Sequence, residues 1–94
     1  LHLYRDTVPH EGFAKLLKLS KSKKYQSFIF TSNIDGQFQK AGFSQEQVME
    51  CHGSIHLLQC IDDCGGKLWS ADKTVIKISE RFSAKDPLPV CPDC

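Results

Sequence analysis

Residues 27–53 read SFIFTSNIDGQFQKAGFSQEQVMECHG, and the fold class turns on them. The opening run Phe28-Ile29-Phe30 is short and apolar, the pattern of a buried strand. It passes directly into Thr31-Ser32-Asn33-Ile34-Asp35-Gly36, a polar set closed by a glycine. Open α/β sheets present ligand-binding groups in such loops, at the carboxyl ends of their strands. Residues 48–51 read as a second strand, which exits into His52-Gly53. If the two strands are neighbours, Asn33, Asp35 and His52 are expected around one cleft. Without further context Asn-Ile-Asp-Gly is also a good turn, and a histidine beside a glycine is commonly structural.

Working outward, residues 1–8 show no clear period, and Pro9 is placed to be a first helical residue. Phe13, Leu16 and Leu17 recur at i, i+3, i+4, an amphipathic stripe, and Lys18, Lys21, Lys23 and Lys24 load the end that a helix dipole makes negative. A strand is expected over 25–32, a short helix or turn over 36–43 closed by Gly42, and a third apolar run over 55–59. From Cys60 the character changes: CIDDC and CPDC bracket Gly65-Gly66, Trp69 and a partly alternating run over 74–78. The expected organisation is therefore a segment 1–59 followed by a cysteine module 60–94.

Cys60, Cys64, Cys91 and Cys94 carry the sharpest chemical signal. Two short cysteine pairs on turns can bring four thiolates to one ion, matching the tetrahedral preference of Zn²⁺. The first pair is spaced C-x3-C and residues 65–90 separate it from the second, a longer interval than the usual ribbon spacing. A site closed by four protein ligands has a structural role. The fifth cysteine, Cys51, reads as a small buried hydrophobe. His56, four residues before Cys60, reads as structural or surface once four thiolates are available.

Composition bounds the partners. Twelve basic and eleven acidic side chains leave a net charge of +1, which gives no electrostatic case for nucleic acid or an anionic membrane. No apolar run is long enough to span a bilayer, and no signal-like segment opens the chain. The odd cysteine count and the pairing pattern argue for a reducing, cytoplasmic setting rather than a disulfide framework. The chain starts at Leu1 rather than methionine, as an excised segment would.

TSNIDGQFQKAG followed by ECHGS resembles the sirtuin family, whose pattern reads TQNIDGLHxxAG and then ExHGS, with a paired-cysteine zinc module behind it. The resemblance covers most of the chain. It implies a fragment of a Rossmann-like catalytic domain bearing a small four-cysteine zinc-ribbon lobe, taken from an NAD-dependent protein deacylase. It also implies that Ser32, Asn33, Ile34 and Asp35 meet the nicotinamide–ribose end of NAD, and that His52 is the general base. His52 would activate a ribose hydroxyl during acyl transfer from an acylated-lysine protein substrate. A sirtuin-like ADP-ribosyltransferase is the related alternative. A non-catalytic zinc-ribbon binding module is the alternative that the cysteines alone would allow.

Three residues depart from the family pattern. Ser32 replaces its glutamine and lacks the reach and the carboxamide, so a cofactor contact is expected to be lost or bridged by water, unless Gln37 or Gln39 compensates. Phe13 and Phe38 stand where the resemblance places histidines. The family's GAGxS phosphate-cradling loop has no counterpart, since no G-x-G occurs. The 94-residue chain on its own is therefore expected to bind NAD weakly or not at all.

Overall fold

The computed structural model describes residues 2–94. They divide into two compact units, one ending at His56 and the other running Leu57–Cys94.

The first unit begins with a short helix, α1 (His2–Asp6), that the sequence does not announce. Five residues are too few to display a 3.6-residue period, and tertiary contacts hold this helix instead. Gln37 Nε2 donates to the Thr7 carbonyl at 3.1 Å, and Lys40 Nζ donates to the carbonyls of Arg5 and Thr7. The main helix, α2 (Glu11–Lys21), starts later than the proline suggests. His10 is the N-cap, extended at φ −70° and ψ 166°, and its Nδ1 accepts from the Gly12 amide at 3.0 Å. Pro9 therefore lies outside the helix, because a ring nitrogen rather than a missing N–H resolves the first turn.

Strand β1 (Ile29–Thr31) is shorter than the apolar and polar run around it, and it pairs in parallel with β2 (Val48–Glu50) in the register Ile29↔Val48, Phe30↔Met49, Thr31↔Glu50. Parallel strands need a crossover, supplied here by α3 (Gln37–Ala41) and a 3₁₀ turn at Gln45–Gln47. Gly42 ends α3 at φ 113°, as its position in the sequence leads one to expect. The expectation of a wholly buried first strand fails. Phe28 and Phe30 are 62% and 72% exposed, while Ile29 between them is half-buried. Successive side chains of a strand point to opposite faces, and this two-stranded sheet is covered on one.

The core of the unit lies between α2, α3 and β2. Phe43 and Val48 are buried. Phe13 and Phe38 meet edge to face with ring centroids 5.0 Å apart, and Phe38 meets Phe43 in the same way at 5.5 Å. Both phenylalanines that depart from the family pattern thus pack against one another across the α2–α3 contact.

In the second unit an antiparallel pair, β3 (Leu57–Gln59) and β4 (Leu68–Ser70), sets Leu58 opposite Trp69. Its intervening turn holds Cys60 and Cys64. Among the described residues β3 pairs only with β4, and it groups with the cysteine module although its apolar run continues the preceding segment in sequence. The alternating run 74–78 contributes a single bridge, Ile78↔Ala84, and no strand. Cys60 and Ala71 are the buried apolar residues described here, so this unit has almost no hydrophobic core.

Candidate functional site

The loops that follow β1 and β2 leave the same edge of the parallel pair, because Thr31 and Glu50 are register partners. Backbone bonds then stitch one loop to the other. The Cys51 amide donates to the Thr31 carbonyl at 3.0 Å, and the Ile55 amide to the Ile34 carbonyl at 3.0 Å. His56 Nε2 lies 3.0 Å from the Asp35 carbonyl. Arg5 Nη2 in turn donates to the Ile55 carbonyl at 3.0 Å. The segment carrying His52 is thereby tied to the segment carrying Asn33 and Asp35.

Within the first loop, the Asn33 amide donates to Thr31 Oγ1 at 3.0 Å and the Gln37 amide to Asp35 Oδ1 at 3.1 Å. Asp35 Oδ1 thus holds the first amide of α3, whose N-cap is Gly36. Ser32, Asn33 and Ile34 are exposed, and so is His52 on the second loop. Gly36 sits at φ 69°, in the left-handed region where a side chain is strained. Gln37 cannot stand in for the glutamine missing at position 32: it is 7% exposed and its amide nitrogen is engaged by Thr7. Cys51 is exposed rather than buried, because it lies just past the end of β2, with Sγ 3.3 Å from the Thr31 carbonyl. His56 was legible only as a structural or surface histidine; its bond to a residue 21 positions away carries no signal in the sequence.

In the second unit the sulfurs of Cys60, Cys64, Cys91 and Cys94 all lie within 4.8 Å of one another. Cys60 and Cys94 stand 3.6 Å apart, as do Cys64 and Cys91. Four sulfurs at about 2.3 Å from one tetrahedral ion are separated by roughly 3.8 Å, whereas a disulfide needs about 2.05 Å. All five cysteines are free thiols, and the donor set fits a metal. The turns deliver backbone amides to the sulfurs: the Asp93 amide donates to Cys91 Sγ at 3.4 Å. Amides of Cys64 and Asp62 donating to Cys60 lower its thiol to about 6. The neighbouring Cys60 sulfur, followed by those of Cys91 and Cys94, pushes Cys64 up to about 12, and Cys60 likewise raises Cys94. Cys60 thus loses its proton readily, while Cys64 and Cys94 keep theirs until something stronger than a proton binds. An open, largely apolar cleft of about 650 Å³, lined in part by Leu58, Trp69, Leu88 and Val90, adjoins the cluster, and Cys64 and Cys94 are exposed.

Comparison with known proteins agrees with this geometry. A protein-family model described as the Sir2 family matches residues 2–94. An NAD-dependent protein deacetylase of Clostridium acetobutylicum is 38% identical over 63 residues, 67% of this chain and 24% of that protein. An NAD-dependent protein deacylase of Aquifex aeolicus is 32% identical over 85 residues, 89% of this chain and 28% of its own length. An NAD-dependent protein deacetylase of Bacillus subtilis is 46% identical over 59 residues, 63% of this chain and 22% of that protein. The chain therefore spans about a quarter of the length of the curated relatives it matches. Among the described residues no helix is long and apolar enough to cross a membrane. With the family model covering nearly every residue, and the strand exits and cysteine cluster arranged as described, the chain belongs to the Sir2 family.

Proposed function

We propose that this chain is the part of an NAD-dependent protein lysine deacylase that carries the nicotinamide-end loop, the general base and a structural zinc module. The observation that carries the reading is the stitching of the NID loop to the histidine loop at the exits of two parallel strands. NAD supplies an electrophilic ribose carbon and a leaving nicotinamide when bound. The second carboxylate oxygen of Asp35 would accept from a carboxamide N–H₂, and the exposed Asn33 side chain offers both a donor and an acceptor in the same loop. Ile34 contributes its amide, its carbonyl being engaged by Ile55. His52, exposed on the second loop, would take the proton of a ribose hydroxyl on an imidazole nitrogen, the role of a general base. Acylated lysine of a protein is the partner substrate, in keeping with the deacetylase and deacylase names of the relatives.

Cys60, Cys64, Cys91 and Cys94 would hold Zn²⁺, whose closed thiolate shell organises the second unit and leaves no open position for catalysis. Free thiols and the absence of a fixed disulfide support a reducing, cytoplasmic setting. The 94-residue chain alone lacks any G-x-G phosphate cradle, and it is expected to bind NAD weakly.

The test is a chimera in which residues 2–94 replace the matching segment of the Bacillus subtilis relative. Nicotinamide release from NAD and an acetylated peptide should persist in the chimera and fall by at least about a hundredfold with His52→Ala, the usual weight of a general base. A folded, zinc-loaded chimera without activity, or one that keeps full activity with His52→Ala, refutes the reading. The first result would favour a non-catalytic zinc module.

A further inference from the structure

We infer that His56 is a positioning residue: with Gly36 it forms a latch that fixes the Asp35–Gly36 peptide and so aims the 32–35 loop. The inference rests on the reading above that this loop meets the nicotinamide end of NAD. Side chains of Ser32, Asn33 and Ile34 are exposed, so packing does not hold the loop. Its soft degree of freedom is the peptide between Asp35 and Gly36. A glycine occupies left- and right-handed backbone regions at similar cost, so this peptide can flip without a steric barrier at Gly36. A flip would reverse the Asp35 carbonyl and the Gly36 amide and change the backbone angles at which the loop enters α3.

The imidazole of His56 stops that flip. Its Nε2 lies 3.0 Å from the Asp35 carbonyl oxygen, across 21 residues of sequence and in a half-buried place. A carbonyl only accepts, so Nε2 must carry the proton. The backbone that carries the ring is itself held, because the His56 amide donates to Ser54 Oγ at 3.2 Å and the adjacent Ile55 amide to the Ile34 carbonyl. Gly36 makes room for it: a Cβ there would lie 2.9 Å from His56 Nε2 and 3.0 Å from Cδ2. One glycine thus gives the loop its freedom to flip and admits the ring that removes it. His56 touches Asp35 only through the backbone, so it acts by orientation and takes no part in proton transfer.

The experiment uses the 94-residue chain loaded with Zn²⁺, observed by NMR. In the unmodified protein, the ¹⁵N shifts of the His56 ring at pH 8 should report a protonated Nε2 and a bare Nδ1; the opposite tautomer overturns the proposal whatever any variant does. In His56→Phe, amide exchange at Gln37 and Ile55 should quicken about tenfold, the scale of one hydrogen bond, with exchange in the middle of α2 unchanged. His56→Gln, whose Nε2–H reaches a similar place, should restore protection. Unchanged exchange, or equal loss of protection in α2, overturns the latch. Kinetics in the Bacillus subtilis chimera separate this inference from the functional reading. KM for NAD should rise at least about fivefold in the His56→Phe chimera and return with His56→Gln. An unchanged KM overturns the positioning role. A folded chimera without nicotinamide release refutes the functional reading and leaves the latch to be judged on tautomer and exchange.

Discussion

Removal of the metal should unfold the second unit. The unit Leu57–Cys94 is below the roughly 40 residues at which a chain usually needs a metal or disulfides to fold alone. Its apolar side chains are poorly sheltered: Leu57 is 45% exposed, Leu68 58%, Ile78 51% and Leu88 52%. Against this, a structural zinc ion contributes of order ~10 kcal/mol at neutral pH, comparable to the whole stability of a small domain of about 5–15 kcal/mol. Two sulfur pairs stand 3.6 Å apart, within about 0.2 Å of the spacing of a tetrahedral thiolate site, and all four sulfurs lie within 4.8 Å of one another, so closing on an ion takes shifts of about an ångström. The expected outcome of adding a strong chelator is therefore complete loss of dispersion for residues 60–94 in an amide correlation spectrum. The Trp69 indole signal should move to its unfolded position, and restoring Zn²⁺ should reverse both changes. A chelated sample that keeps dispersed resonances through 60–94 would show that the β3–β4 pair and its few buried residues suffice, and would refute the reasoning.

Other outcomes are equally direct. Zinc loading at pH 7 should release protons, since Cys64 and Cys94 are held above the ordinary thiol range by Cys60. Cys60, lowered to about 6, is already a thiolate there, so the slope of log affinity against pH should steepen by about one as pH falls through 6; calorimetry in two buffers of different ionisation enthalpy checks the release, and none observed would contradict it. Phe13→Ala and Phe38→Ala should each destabilise the chain by about 2 kcal/mol, discounted for their half-burial, with a coupling of about 0.5–1.5 kcal/mol in a double-mutant cycle by denaturant titration. Additive effects would mean the edge-to-face contact contributes nothing beyond burial. In the chimera, Ser32→Gln should change KM for NAD, because Gln37 is engaged elsewhere; unchanged kinetics would show that position 32 does not reach the cofactor.

Spacing and residue type made much of this protein legible. NIDG and HG behind short apolar runs announce two strand exits, and paired cysteines announce a thiolate cluster, because both depend on local backbone chemistry that a few neighbouring residues specify. The Gly42 cap and the order of strand, short helix and strand follow for the same reason. What the sequence could not supply is which groups meet across the fold. The helix at His2–Asp6 exists through Gln37 and Lys40, and Phe28 and Phe30 are exposed because a two-stranded sheet covers one face. Cys51 falls outside its strand by one residue, and β4 forms around Trp69 rather than along the alternating run, since pairing with β3 outweighs local propensity. The partnership of His56 with Asp35 and Gly36 belongs to the same class. Residue identity decides which chemistry is present, and only long-range contacts decide where each group points, because a hydrogen bond spanning 21 residues leaves no period or motif to read.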